Sequence, residues 1–391
     1  MKIQWALLFA LTIGINPSHA FDSYEHSEIG DEAFKSAIAM LNKNRRDAYT
    51  KLLRQPHVFK QHEAIGALSK GAEFVRFSFG DLVAIYGDYA SNFEEINGAA
   101  MAKRAAILKQ IVRGAGSAEF PGEFSHAMQL AVNNPTHFSL RAAQAYVKWH
   151  RHAIILAGKK NRLWEALHYE ALALHSFTDI FAFGHLLDNR QLTDRLYEWA
   201  KKKKTVTNIS SAGRAKLATT AGKIMGGYVN FYHNAYNWKG AMMTNLTGDS
   251  WRGFGDKHYR IVEKSCTQTS KRGKRDCADP ITKRQRQIIV HAAAVSIFDI
   301  LKVASGRRLS VGGEYSAMCH LPVRFWDSQS PVDAENQVGA IFQLAAAMKK
   351  QGRPLEDNGF DFNLGYLKFK KGEKRGSVEY IDYIRLNCGK N

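Results

Sequence analysis

Two imidazoles and a carboxylate sit inside an otherwise apolar stretch, "LALHSFTDIFAFGHLL" at 172–187. His175 and Asp179 are four residues apart, and His185 follows six residues later. On an α-helix, residues at i and i+4 share a face, so His175 and Asp179 can reach one metal ion. His185 lies ten residues past His175. A continuous helix would turn it roughly 80° off that face at 3.6 residues per turn. Gly184 is a natural helix stop, which would let the chain turn and carry His185 to a second ion near the first. This pattern suits a multinuclear zinc site in which the carboxylate bridges. It also suits a buried His–Asp hydrogen bond beside an unrelated surface histidine, the commoner arrangement for an HxxxD pair taken alone.

The elements that must position these groups read as helices. In "EIGDEAFKSAIAMLNKN", "SLRAAQAYVKWHRHAIILAG", "NRLWEALHYEALALHSFTDIFAF" and "RQRQIIVHAAAVSIFDILKVAS", apolar residues recur at three- and four-residue intervals. Gly-rich breaks such as "GDSWRGFGDKH" at 248–258 separate such segments. After about residue 310, "DFNLGYLKFKKGEKRGSVEYIDYIRLNC" alternates apolar and polar residues around a Gly/Lys turn, the pattern of a β-hairpin. The expected fold is mainly α: a helical bundle over 21–310, then a C-terminal β-containing appendage over 311–391. The 391 residues are enough for such a body with its own hydrophobic core.

The first 20 residues, "MKIQWALLFALTIGINPSHA", carry one lysine, an apolar run, and Ser18 and Ala20 at the −3 and −1 positions of a cleavage site. That is the pattern of a secretory signal peptide, so the mature chain is expected to begin at Phe21 and to be exported. No later run is expected to be long and apolar enough to cross a bilayer. Cleavage removes Lys2 and no acidic residue, leaving 54 Lys and Arg against 36 Asp and Glu, a net charge of +18. Such a surplus favours anionic partners, namely nucleic acid, acidic headgroups or phosphorylated substrates, although it also serves plain solubility. Of the three ways to pair four cysteines in an exported chain, Cys266–Cys277 closes a short basic loop and Cys319–Cys388 staples the C-terminus back.

"HSFTDIFAFGH" resembles the core motif of the zinc-dependent phospholipase C superfamily, which also contains fungal single-strand nucleases. The resemblance implies a secreted, helical protein with three zinc ions (Zn2+), held in part by His175, a bridging Asp179 and His185. It further implies ligation by the amine and carbonyl of the mature N-terminal residue, here Phe21, and by His26 five residues on, the spacing of the nuclease branch. "NNPTHFSLRAAQAYVKWHRHAIILAG" resembles the segment that carries another ligand, which would be His137. His150 and His152 then read as helix-surface residues, and His168 as core or support. "FSFGDLVAIYGDYAS" resembles the segment of secreted bacterial phosphatidylcholine-hydrolysing phospholipases C that supplies a water-activating, zinc-binding aspartate. Asp81 and Asp88 both qualify, seven residues apart and so on one helical face, with Asp81 preferred and the other a cap or orienting group. "FYHNAYNWKGAMMTNLTGDSWRGFGDKHY" resembles the same branch and would give His233 as the partner of His185. The superfamily places a carboxylate four residues after this histidine, whereas this chain has Asn237, so either that site binds loosely or Asp249 or Asp256 substitutes.

What the resemblance implies is hydrolysis of the glycerol-side phosphodiester bond of phosphatidylcholine-like lipids by metal-activated water. The partner is then a phospholipid membrane surface or lipid substrate, with no obligate protein partner. Tyr24, Glu25, Tyr86, Tyr89 and Phe138 flank the ligands and could recognise a choline headgroup. A zinc nuclease for single-stranded nucleic acid is the competing enzyme reading, favoured by the charge and the N-terminal spacing. A non-catalytic exported protein that binds metal or membranes is the third.

Overall fold

The computed structural model describes residues 23–41, 75, 77–96, 99–114, 120–123, 127, 135–186, 241–255, 280–309, 315–326 and 378–388. Among them helix accounts for 72% and strand for 5%, so the fold is mainly α. In chain order the described helices are α1 (Ser23–Ala39), α2 (Phe79–Asp88), α3 (Phe93–Ile96), α4 (Ala99–Ile111), α5 (Ser139–Ala157), α6 (Leu163–Asp179), α7 (Pro280–Ala304) and α8 (Val378–Asn387). Strands β1 (Ala241–Thr244), β2 (Ser250–Gly253) and β3 (Arg324–Trp326) form one antiparallel sheet in the order β2-β1-β3.

Helix α6 is the axis of the body. From Ala166 to Asp179 every residue but Tyr169 is buried, and a helix apolar on all sides belongs at the centre of a core. Helix α5 packs along it, and α2 and α7 cover further faces, while α1 packs on α2 and α7. The α1–α2 crossing is tight because two glycines meet there. A Cβ on Gly80 would lie 1.9 Å from the Ser27 carbonyl oxygen, and one on Gly30 would lie 2.7 Å from the Gly80 Cα. Backbone touching backbone fixes α1, which carries His26, against α2, which carries Asp88.

Helix α7 corrects one expectation. Over Lys283–Ala304 it is long and apolar enough to cross a membrane by length and composition. Its apolar residues instead supply core: Ile289, Ala292, Ala293, Ile297, Ile300 and Leu301 are buried, and the helix packs against α1, α5 and α6.

The C-terminal segment corrects another. Residues 378–387, expected as the second strand of a hairpin, form α8. Tyr380 and Ile384 are buried four residues apart, a helical spacing that "VEYIDYIRLN" satisfies as readily as alternation. The other half of the expected hairpin, 361–377, lies outside the described residues. Strand β3 joins the sheet at β1. Nearby, the Val323 amide donates to the Thr244 carbonyl and the Leu246 amide to the Cys319 carbonyl. Cys319 and Cys388 are disulfide-bonded, and the Tyr380 hydroxyl donates to the Pro322 carbonyl. The leader, residues 1–20, and the Cys266–Cys277 pairing lie outside the described residues.

Candidate metal centre

Six of the expected site residues converge, all buried: His26, Asp88, His137, His175, Asp179 and His185. They come from five places in the chain. His26 is in the first turns of α1, Asp88 ends α2, His137 ends a 3-10 turn (Pro135–His137), His175 and Asp179 form the last turn of α6, and His185 sits in a second 3-10 turn (Phe183–Leu186). Helix α6 stops at Asp179, earlier than the Gly184 stop expected. The Ala182 amide donates to the Asp179 carbonyl and the His185 amide to the Ala182 carbonyl, so the chain reverses at once and brings His185 back.

Asp179 is the hub. Its Oδ2 lies 2.6 Å from His137 Nδ1, 3.6 Å from His175 Nε2 and 3.8 Å from His185 Nδ1. Its Oδ1 lies 3.2 Å from His26 Nε2. The ligand atoms of His26, His175 and Asp179 all fall within 4.8 Å of one another, as do those of His137, Asp179 and His185. Two nitrogen-oxygen triads therefore share one carboxylate, a donor set suited to borderline divalent cations.

Backbone carbonyls fix the tautomers of two of the rings. His175 Nδ1 lies 2.9 Å from the Val83 carbonyl oxygen, and His185 Nδ1 lies 2.7 Å from that of His137. A carbonyl only accepts, so both rings carry hydrogen on Nδ1 and a lone pair on Nε2. Asp179 Oδ1 is buried and receives no hydrogen bond, a costly state for a carboxylate unless a cation lies against it. Burial pushes His175 down to about 4, so the ring is neutral and able to ligate at ordinary pH. Burial alone would raise the Asp179 carboxyl, but His175, His137 and His185 outweigh it and hold it well below the usual carboxylate range.

The two upstream aspartates separate. Helix α2 is kinked, with Tyr86 at ψ 136° and Gly87 at φ 87°, so the seven-residue spacing does not keep them on one face. Asp88 turns inward: its Oδ1 lies 3.8 Å from His175 Nε2, and its Oδ2 accepts a 3.0 Å hydrogen bond from the Ser23 hydroxyl. Asp81, the preferred choice, is placed elsewhere. It forms a capping box with Ser78 and accepts from Ser27, Lys109 and Arg113, which occupies both its oxygens. Gly87 is required at the kink, since a Cβ there would sit 2.1 Å from the His175 ring.

Phe21, His233, Asn237 and Asp256 lie outside the described residues. The Asp249 carboxylate is committed to Asn245 and Thr247 in the β1–β2 turn and to Arg284 of α7. Glu25, Tyr86 and Tyr89 are fully buried. Phe138 stacks on His185 with ring centroids 4.6 Å apart and, like Tyr24, keeps partial exposure. His150, expected on a helix surface, is fully buried against Glu170 at 2.7 Å, because a carboxylate on the neighbouring helix compensates it. His168 is a core residue bonded to the Tyr86 hydroxyl at 3.0 Å, and burial lowers it to about 3. Sequence reasoning missed Ser23 and Gly87. The "GD" dipeptide at 87–88 was the available sign, a glycine placed to break the helix just before the carboxylate.

No family model, curated protein or solved structure matches the chain.

Proposed function

We propose that the chain is a secreted, zinc-dependent phosphodiester hydrolase, a phospholipase C acting on phosphatidylcholine-like lipids. The observation that carries this is Asp179, one buried carboxylate shared by two imidazole-containing triads. The resemblance of "HSFTDIFAFGH" and "GDLVAIYGD" to the phospholipase segments supplies the substrate class. Bound zinc would supply a water of lowered pKa and neutralise charge on the phosphoryl group.

The chain's residues do the rest. His26, His137, His175 and His185 offer ring nitrogens, and Asp179 holds the two triads at fixed separation. Asp88 takes the role expected of the upstream aspartate, with one oxygen anchored by Ser23 and the other facing His175, placed to accept a proton from the attacking water. Water oxygen bonds to phosphorus, the bond from phosphorus to the glycerol oxygen breaks, and diacylglycerol leaves with a proton. Ser23 lies two residues from Phe21 and touches Asp88, which supports ligation by a mature N-terminus at the same cluster.

One preparation tests the reading. Metal content is measured, then hydrolysis of phosphatidylcholine vesicles and of single-stranded DNA, before and after chelation. Chelator-sensitive lipid hydrolysis is expected. Nucleotide release alone would replace the reading by a nuclease, and a metal-free, inactive protein would overturn both. A residue left in front of Phe21 is expected to cost one metal ion per chain, and full metal content with that extension would refute N-terminal ligation.

A further inference from the structure

The rings of His175 and His185 are fixed by backbone carbonyls, which no substitution removes. His26 is held by a side chain. Its Nδ1 lies 3.0 Å from the Thr178 hydroxyl oxygen. That hydroxyl has one hydrogen, and its oxygen also lies 2.8 Å from the Leu174 carbonyl oxygen and 3.1 Å from that of His175. Both carbonyls only accept, so the Thr178 hydrogen points back along its own helix, as threonine commonly does at this spacing. The oxygen then has only lone pairs to offer His26, and the hydrogen between them belongs to the imidazole.

We propose that Thr178 is a positioning residue that holds His26 in the Nδ1–H form, keeping the Nε2 lone pair directed at the Asp179 side of the metal centre. The proposal rests on the metal-centre reading above. Its physical content is a choice between two arrangements. With Thr178 as acceptor, a neutral His26 ring sets two lone-pair atoms, its Nε2 and Asp179 Oδ1, 3.2 Å apart, an arrangement that a bound cation reconciles. Without that acceptor, the ring can move its hydrogen to Nε2 and donate to Asp179 Oδ1. The pair would then close on itself with a hydrogen bond where the ion should sit. Outer partners that set a histidine's tautomer typically govern metal affinity by about 10–100-fold.

Thr178→Val keeps the branched shape and deletes the acceptor, while Thr178→Ser restores it. Two measurements on the full-length protein decide between the arrangements. In metal-free protein, at a pH where imidazole is neutral, 15N-histidine NMR is expected to place the His26 hydrogen on Nδ1 in wild type and Thr178→Ser, and on Nε2 in Thr178→Val. Competition titrations with zinc and a chromophoric chelator are expected to show one site weakened about 10–100-fold in Thr178→Val and within about threefold of wild type in Thr178→Ser. A purely structural role would lower the melting temperature and leave the tautomer alone. Should Thr178→Val fail to fold, Thr178→Ala gives the same reading. An unchanged tautomer, or wild-type zinc affinity in the valine variant, would overturn the proposal while leaving the metal centre intact. Wild-type protein that takes up no zinc would overturn the metal centre, and this proposal with it.

Discussion

Helices α5 and α6 bury a second polar cluster, and it makes an instructive contrast with the metal centre. There, between α5, α6 and α7, Glu170 faces His150, Ser296 and Tyr146, and all four residues are fully buried. His150 Nδ1 lies 2.7 Å from Glu170 Oε2, the Ser296 hydroxyl donates to Glu170 Oε1, and the Tyr146 hydroxyl lies 2.8 Å from that of Ser296. Both oxygens of Glu170 thus receive a donor. In the metal centre the residue types are much the same, yet Asp179 Oδ1 receives none, and lone pairs face lone pairs. A network complete in its own hydrogen bonds holds a core together. One that is complete only with a cation present is a binding site.

The largest effect expected from breaking this contrast is at Asp179. Asp179→Asn should empty the centre of metal and lower hydrolysis by more than about 100-fold, beyond what outer partners usually cost. Its melting temperature without metal should be lower, since the surrounding imidazoles favour the buried Asp179 anion in the folded state. Atomic absorption, turnover and calorimetry check the three parts, and retained metal would collapse the distinction. Glu170→Ala should destabilise by about 3–5 kcal/mol through the uncompensated partners it leaves. Its metal stoichiometry should stay at the wild-type value, read by denaturant unfolding alongside metal analysis. Gly87→Ala should fall between, costing about 1–3 kcal/mol for a strained left-handed residue. It should also weaken metal binding, because the added carbon strikes the His175 ring. The smallest effect concerns Asp299, at the margin of the second cluster, whose Oδ2 has no hydrogen-bond partner.

Burial pushes the Asp299 carboxyl up to about 7 from an ordinary value of 3.8. The folded state therefore binds its proton more tightly than the unfolded state. That stabilisation is complete below about pH 3.8 and is lost as pH rises to 7. Asp299→Asn should flatten the fall in stability between pH 5 and 8, by an amount on the order of 1 kcal/mol for each tenfold difference in proton affinity between the folded and unfolded states. Urea melts at the two pH values measure it, and equal slopes in both proteins would remove Asp299 as the cause.

The helical body was legible because burial of one face imposes a period that survives in the residues: α5 and α6 lie within the apolar runs read as helices, and α7 overlaps its run from Arg284 on. The juxtaposition of His175 and Asp179 was legible for the same reason, being local to one helix. What depended on backbone conformation was not. Asp81 and Asp88 share a face only on an unbroken helix, and Gly87 breaks it. The burial of His150 depends on Glu170, a residue of another helix, which periodicity in α5 alone does not show. At 378–387 one string met both the period of a strand and that of a helix, and packing of Tyr380 and Ile384 chose between them.

The Cys319–Cys388 bond spans 69 residues, a closure worth about 4 kcal/mol in the chain-entropy view. It ties α8 to the segment that leads into β3, so α8 is latched to the body by a covalent bond. A protease nick anywhere from 327 to 377 would leave two fragments that migrate together until a thiol reductant parts them. Loss of α8 would thus require two separate chemical events, one on the peptide backbone and one on sulfur.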